Sequence, residues 1–135
     1  MDRTYALSIK QPWAALVVAG VKSIEVRTWP TRIRGRVLIH AARLADERPE
    51  GWHRVTDDIR ELAEPGGGII GAAELIDCVP YRNSVEFTRD AERHLNDPSW
   101  FQARGMYGFV FRCAAAVPFR RLPGNVRFFR VEEPR

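Results

Sequence analysis

Lys22, Glu25 and Arg27 stand close together in the run Gly20-Val21-Lys22-Ser23-Ile24-Glu25-Val26-Arg27-Thr28-Trp29. An ammonium, a carboxylate and a guanidinium at this spacing can recognise, or react with, a polar and partly anionic ligand. The cations suit phosphate or a developing oxyanion, and the carboxylate can accept from an amine or activate water. Lysine is the telling residue type. Of 21 lysines and arginines only Lys10 and Lys22 are lysine, and lysine, unlike arginine, can lower its pKa enough to act as a base. Glu74 is a second candidate carboxylate. It interrupts the apolar run Ile69-Ile70-Gly71-Ala72-Ala73-Glu74-Leu75-Ile76-Asp77-Cys78-Val79. Acidic residues are seldom buried unless paired. Glu74 therefore faces a site and one of Lys10, Lys22, Arg27 or Arg112, or else it is a solvated or arginine-paired carboxylate of a sheet face.

Other chemistries leave no trace. His40, His53, His94, Cys78 and Cys113 lack metal-ligand spacing. Gly66-Gly67-Gly68 precedes a strand and lacks the lysine of a phosphate loop, and neither a dinucleotide fingerprint nor a nucleophile elbow is present. The sequence thus predicts no metal and no cofactor. His40, among Leu38, Ile39 and Ala41, reads as a core histidine bonded to backbone. Cys78 and Cys113 read as two buried free thiols.

Alternating and helical periods give the elements that must position these residues. Strands are predicted over 5–10 with Leu7 and Ile9 inward, 23–28 with Ile24 and Val26 on one face and Ser23, Glu25 and Arg27 on the other, 36–41, 69–79, 107–118 and 126–131. Pro12 and Gly20 bracket a short helix over 12–19. Trp52, Val55, Ile59 and Leu62 make an apolar stripe on a helix over 49–64. Asn83 and Glu86 form a capping box for a helix carrying Phe87, Ala91 and Leu95 inward. Strands that mostly neighbour in sequence give an α+β fold: a small, partly closed β-barrel of about six strands with two or three flanking helices.

The chain has 135 residues, enough for one domain over 1–135. Hydrophobic residues at 45% and charged residues at 28% are ordinary for a globular protein. No apolar run is long enough to span a bilayer and no signal pattern opens the chain, so the reading is a cytoplasmic protein without a membrane partner. A net charge of +4, carried almost wholly by arginine, is compatible with anionic partners without requiring them.

The segments Leu7-Ser-Ile-Lys-Gln-Pro-Trp-Ala14, Gly20 to Pro30, Arg34-Gly35, Leu38-Ile-His-Ala-Ala42, Ile70-Gly-Ala-Ala-Glu74 and Gly105-Met-Tyr-Gly-Phe109 together resemble the ASCH domain, a relative of the PUA domain with the same small β-barrel. The resemblance implies RNA or modified-nucleotide binding in a cleft between barrel and first helix. Some such domains are implicated as coactivators, some as nucleases, and some as amidohydrolases that remove the acetyl group of N4-acetylcytidine with a lysine, a threonine and a glutamate. By motif, that lysine falls on Lys22 and that glutamate on Glu74, while Glu25 stands at the threonine position.

The leading expectation is a module that binds RNA, other single-stranded nucleic acid or a modified nucleoside. Lys10, Lys22, Arg27 and Arg112 would meet phosphate or base, Glu25 and Glu74 the base edge, Gln11 would offer its amide, Trp13, Trp29 or Trp100 would stack, and Tyr107 belongs to the same nucleotide-binding set. The alternative is hydrolysis of an acylated cytidine, with Lys22, Glu25 and Glu74 as catalytic groups. A ribonuclease using Lys22, Tyr107 and His40 is a further one.

Overall fold

Leu7 and Ile9 bury completely, as alternation predicts, on a strand that runs Asp2–Ile9 (β1). The computed structural model describes residues 2–133. Five further strands follow among them: Ile24–Arg27 (β2), Gly35–Ala41 (β3), Gly68–Tyr81 (β4), Met106–Arg121 (β5) and Phe129–Glu133 (β6). They form one sheet in the order β2-β5-β4-β3-β1-β6. Only β3, β4 and β5 neighbour in sequence, which corrects the expectation of mostly sequential pairing. β1 instead pairs in parallel with β3 and antiparallel with β6. The sheet curls so that its two ends meet through side chains. Trp29, just past β2, packs edge-on against Phe128, just before β6, with ring centroids 5.9 Å apart. Arg27 Nη2 donates to the Ser8 carbonyl at 2.9 Å.

Trp13–Val18 (α1) is apolar throughout and wholly buried against the sheet. Beyond its cap at Ala19 the chain turns at Gly20, whose φ of +79° only glycine adopts without strain. The amides of Val21 and Lys22 both return to the Leu16 carbonyl at 3.0 Å. That turn delivers Lys22 to the start of β2. The close seat of α1 depends on Gly71, where a Cβ would lie 2.5 Å from a Val18 methyl and 2.8 Å from the Ala115 carbonyl. Gly71→Ala is therefore expected to push α1 off the sheet and cost about 2 kcal/mol, within the usual overpacking range, read as a lower urea midpoint.

β2 explains why its polar face is not a solvated one. Glu25 pairs across from Phe109 and Arg27 from Tyr107, and Phe109 belongs to the main core. Glu25 and Arg27 thus look toward the barrel mouth. Val26 packs on the opposite side, against the cluster of Tyr81, Phe87 and Met106. That side is covered by Ser84–Arg89 (α4) and Ala91–His94 (α5). Asn83 caps α4 as predicted, accepting from the Glu86 amide at 2.9 Å. Leu95 ends α5 at a φ of +61° and packs against the main core, and the buried residue of this turn is His94.

The predicted helix over 49–64 is broken into Pro49–Trp52 (α2), a 3-10 turn at Asp57–Ile59, and Arg60–Ala63 (α3). Thr56 is extended and its hydroxyl turns to Asp58, so local side-chain bonding competes with helix there. Trp52, expected in the core, is 37% exposed because its indole N–H donates to the Asp46 carbonyl at 2.8 Å. The cysteines also differ from expectation: Cys78 is half-buried, and Cys113 is exposed at a φ of +52° where the β4–β5 ladder is irregular. The last strand starts three residues late, leaving Val126 in solvent.

Candidate functional site

A cleft of ≈ 360 Å³ opens at the barrel mouth, beside α1. Ser8, Ile9 and Lys10 of β1 and its exit line one wall, Glu25 and Arg27 of β2 another. Trp13 closes it on the α1 side, with Asp46 and Arg48 from the segment before α2 and Asn125 from the loop before β6.

Behind the lining residues Trp13 and Glu25, Lys22 is only 2% exposed, while Glu25 is 9% exposed. The Lys22 ammonium donates to the His94 carbonyl, lies 5.0 Å from the Trp13 ring centroid and stands 3.6 Å from Glu25 Oε1. That distance is an ion pair longer than a hydrogen bond, so Glu25 Oε1, which lines the cleft, keeps bonding capacity toward a ligand. Burial pushes the Lys22 pKa down to about 8 from 10.5, against the opposing pull of Glu25. Glu25 Oε2 is committed instead to Arg27, accepting from Nη2 at 2.9 Å and Nε at 3.2 Å.

Asp46 organises the other side. Its Oδ2 accepts from Trp13 Nε1 at 2.9 Å and Arg48 Nη2 at 2.8 Å, and its Oδ1 from the Arg48 amide at 3.0 Å. Those bonds, chiefly from the Arg48 side chain, hold its carboxyl far below the usual carboxylate range. Arg48 in turn lies flat on Trp100, 3.8 Å from the ring centroid, and Trp100 packs edge-on against Trp13. Lys10, Lys22, Arg27 and Arg48 thus surround two carboxylates, an arrangement that favours an anionic ligand with a donor-bearing edge.

Lys10, Trp13, Lys22, Glu25, Arg27 and Trp100 therefore gather at or behind one cleft. Other candidates lie elsewhere. Glu74 sits on the outer face of β4, its side chain 42% exposed, and accepts from Arg112 Nη2 at 3.1 Å. It borders a separate hollow with Arg36 and Cys113. The expected convergence of Glu74 with Lys22 and Glu25 is not met, because β4 turns Ala73 and Leu75 to the core and Glu74 away from it. Gln11 spends its amide on backbone, donating to the Leu62 and Pro65 carbonyls and accepting from the Ala15 amide. Trp29 and Tyr107 pack against the main core rather than lining the cleft. His40 is 1% exposed, with Nε2 against the Leu122 carbonyl at 2.7 Å and Nδ1 against Ser8 Oγ at 2.9 Å, the core histidine its neighbours suggest.

Sequence reasoning missed Asp46, Arg48 and Asn125. They lie in irregular segments with no period to read. The one available signal was an acidic residue two positions before an arginine. A larger cavity of ≈ 670 Å³ lies between α2 and α5, but on its wall Glu50, Glu92 and Asp97 outnumber Arg54 and His53, a balance that disfavours phosphate. Among the described residues no group of three or more metal-binding side chains comes together, and no helix is long and apolar enough to cross a membrane.

The arrangement of elements recurs in solved structures. A crystal structure of ASCH from Zymomonas mobilis matches 96% of this chain and 88% of its own at a TM-score of 0.71 and 15% identity. A point mutant of that protein matches 88% of this chain and 76% of its own at 0.65 and 17%. These likenesses establish the fold. In sequence, the chain is 32% identical over 121 residues, 83% of its length, to human Activating signal cointegrator 1, and 34% identical over 94 residues, 63% of its length, to the mouse protein. It spans only 19% and 16% of those longer relatives. The sequence pattern of the ASCH domain matches residues 7–114, most of the chain, and the protein belongs to the ASCH domain family.

Proposed function

We propose that the cleft binds one nucleotide of a single-stranded nucleic acid. The observation that carries this reading is Glu25 lining a cation-rimmed hollow, its Oε1 backed at 3.6 Å by the buried Lys22 ammonium. An acceptor oxygen on a cation-rimmed wall complements a base edge that presents an amine, as cytosine and adenine do. Lys10, Arg27 and Arg48, all lining the cleft, would take the phosphate. ASCH membership, which suggests nucleic-acid binding, supports the same reading.

The test is fluorescence anisotropy with short labelled RNAs at several salt concentrations, with free nucleosides as competitors. Affinity is expected to fall with salt, with a log–log slope of about −0.7 for each phosphate neutralised. Cytidine or adenosine is expected to compete better than uridine, and Glu25→Gln to erase that preference. Salt-independent binding, or a preference that survives Glu25→Gln, would refute the assignment.

A second reading draws on Lys22 titrating at about 8 beside a carboxylate: hydrolysis of an N-acyl cytosine, with Glu25 activating water and Lys22 returning a proton to the leaving amine. Glu74 has no part in this version, since it lies outside the cleft. Incubation with N4-acetylcytidine and mass analysis for cytidine separates the two readings, because the first predicts no product.

A further inference from the structure

Beyond the cleft, aromatic and guanidinium groups continue in an unbroken row along the seam where the ends of the sheet meet. Arg27, which lines the cleft, has its guanidinium carbon 6.0 Å from the Trp29 ring centroid. Arg127 approaches the same ring at 4.7 Å. Trp29 packs edge-on against Phe128 at 5.9 Å, and Phe128 edge-on against Tyr5 at 6.2 Å. Arg130, opposite Tyr5 in the β1–β6 ladder, lies 5.1 Å from its ring centroid and donates to its hydroxyl at 3.2 Å.

The rings account for the seam; the arginines need a separate reason. Arg36, Arg60, Arg82 and Arg112 on other surfaces hold carboxylates, and other exposed arginines such as Arg34 and Arg104 hold, among the described residues, neither a carboxylate nor a ring. Arg127 and Arg130 are exposed and, among the described residues, have no carboxylate partner. A ring within cation–π range holds each guanidinium at the seam and leaves free N–H groups presented. That is the surface on which unpaired bases stack and to which phosphates bond. A protein partner would want apolar area, whereas here ring faces are covered by cations. The charge of the row matches a polyanion.

We propose that the row Arg27–Trp29–Arg127–Tyr5–Arg130 carries the nucleotides flanking the one in the cleft, so that the ligand is a single strand several nucleotides long rather than a free nucleoside. This rests on the nucleotide reading of the cleft. It assigns Trp29 to the track outside the cleft, and gives the two exposed arginines of the β6 approach a part in binding.

The experiment compares 5′-fluorescein random-sequence RNAs of two, four and eight nucleotides against the whole chain, the Arg127→Gln/Arg130→Gln double variant and Lys22→Met. The octamer is expected to bind the unaltered protein at least tenfold more tightly than the dinucleotide. The double variant should lose on the order of tenfold on the octamer and nothing on the dinucleotide, with its salt slope shallower by about 0.7 per arginine. Its melting temperature, followed by circular dichroism, should stay put. Should the glutamines unfold the seam, Arg127→Lys/Arg130→Lys keeps the charges. It is expected to retain the salt slope while losing affinity for the octamer through the lost stack. An octamer that binds no better than the dinucleotide overturns the inference. So does a double variant (or, where the glutamines unfold, the lysine pair) with unaltered octamer affinity alongside a weakened Lys22→Met; the row is then only a seal on the barrel. Absence of binding at every length removes the cleft reading itself, and the flanking track with it.

Discussion

Lys22→Met is expected to fold at least as stably as the unaltered protein while binding RNA about 30-fold or more less tightly, the usual cost of removing a desolvated charge from an interface. Burial holds the Lys22 pKa near 8, down from 10.5, so the folded state resists the charge that the unfolded chain carries freely. A shift of that size is worth about 3 kcal/mol against folding at neutral pH. The penalty is full below pH 8 and is relieved as pH rises from 8 toward 10.5, where the unfolded chain still holds a proton that the folded state has shed. Methionine fills similar volume without it, and buried ions exchanged for apolar groups are often neutral or stabilising. Affinity should move the other way, falling as pH passes 8 and the ammonium is lost. Urea denaturation and anisotropy between pH 6 and 10 thus show opposite trends in the unaltered protein, and Lys22→Met shows neither. The partner residue behaves differently. Glu25→Ala strands a buried ammonium and frees Arg27 from both its bonds to the carboxylate, and is expected to destabilise by about 3 kcal/mol. Octamer binding by Lys22→Met equal to that of the unaltered chain would disprove the role given to the ammonium.

The parts of this site that periodicity could reach were legible. Alternation put Glu25 and Arg27 on one side of a strand, and Gly20 marked the turn that brings Lys22 to it. What alternation could not say is which side of β2 faces the barrel, because β2 is apolar on one face for the sake of α4 and α5 and polar on the other toward the mouth. Glu74 shows the converse limit. Its strand is so apolar that a carboxylate there reads as buried, yet β4 also carries a small second core on its outer face through Ile69 and Ala72, and Glu74 borders that outer side with Arg112. The order of strands was hidden for a different reason. The parallel β1–β3 pair requires a crossover, and α1 with β2 supplies one that no local signal announces. The PUA-like ASCH fold came from the combined motif rather than from any single element. The wall formed by Asp46 and Arg48 came from neither, since a side chain that anchors an irregular segment leaves no period.

That wall yields the other large effect. Asp46→Ala is expected to lower stability by about 3 kcal/mol, or roughly 6–12 °C in melting temperature for a domain of this size. The carboxylate is 8% exposed and holds the Trp13 indole N–H together with the amide and side chain of Arg48. Alanine leaves the buried indole N–H without an acceptor and releases Arg48 from its place over Trp100. Asparagine separates these effects: its oxygen can still accept from Trp13, but it cannot neutralise Arg48. Asp46→Asn should therefore recover part of the stability and little of the binding, since a mobile Arg48 no longer offers phosphate a fixed partner. The charge also sets an acid dependence. Arg48 holds the carboxyl below its ordinary value of 3.8, so its contribution is present above pH 3.8 and is lost as pH falls beneath it. The unaltered protein should lose stability below that pH more steeply than either variant, as followed by tryptophan fluorescence during urea unfolding between pH 2.5 and 6. Equal acid sensitivity in all three would mean that Trp13 and Arg48 are held by packing alone, and that the carboxylate is incidental to the cleft.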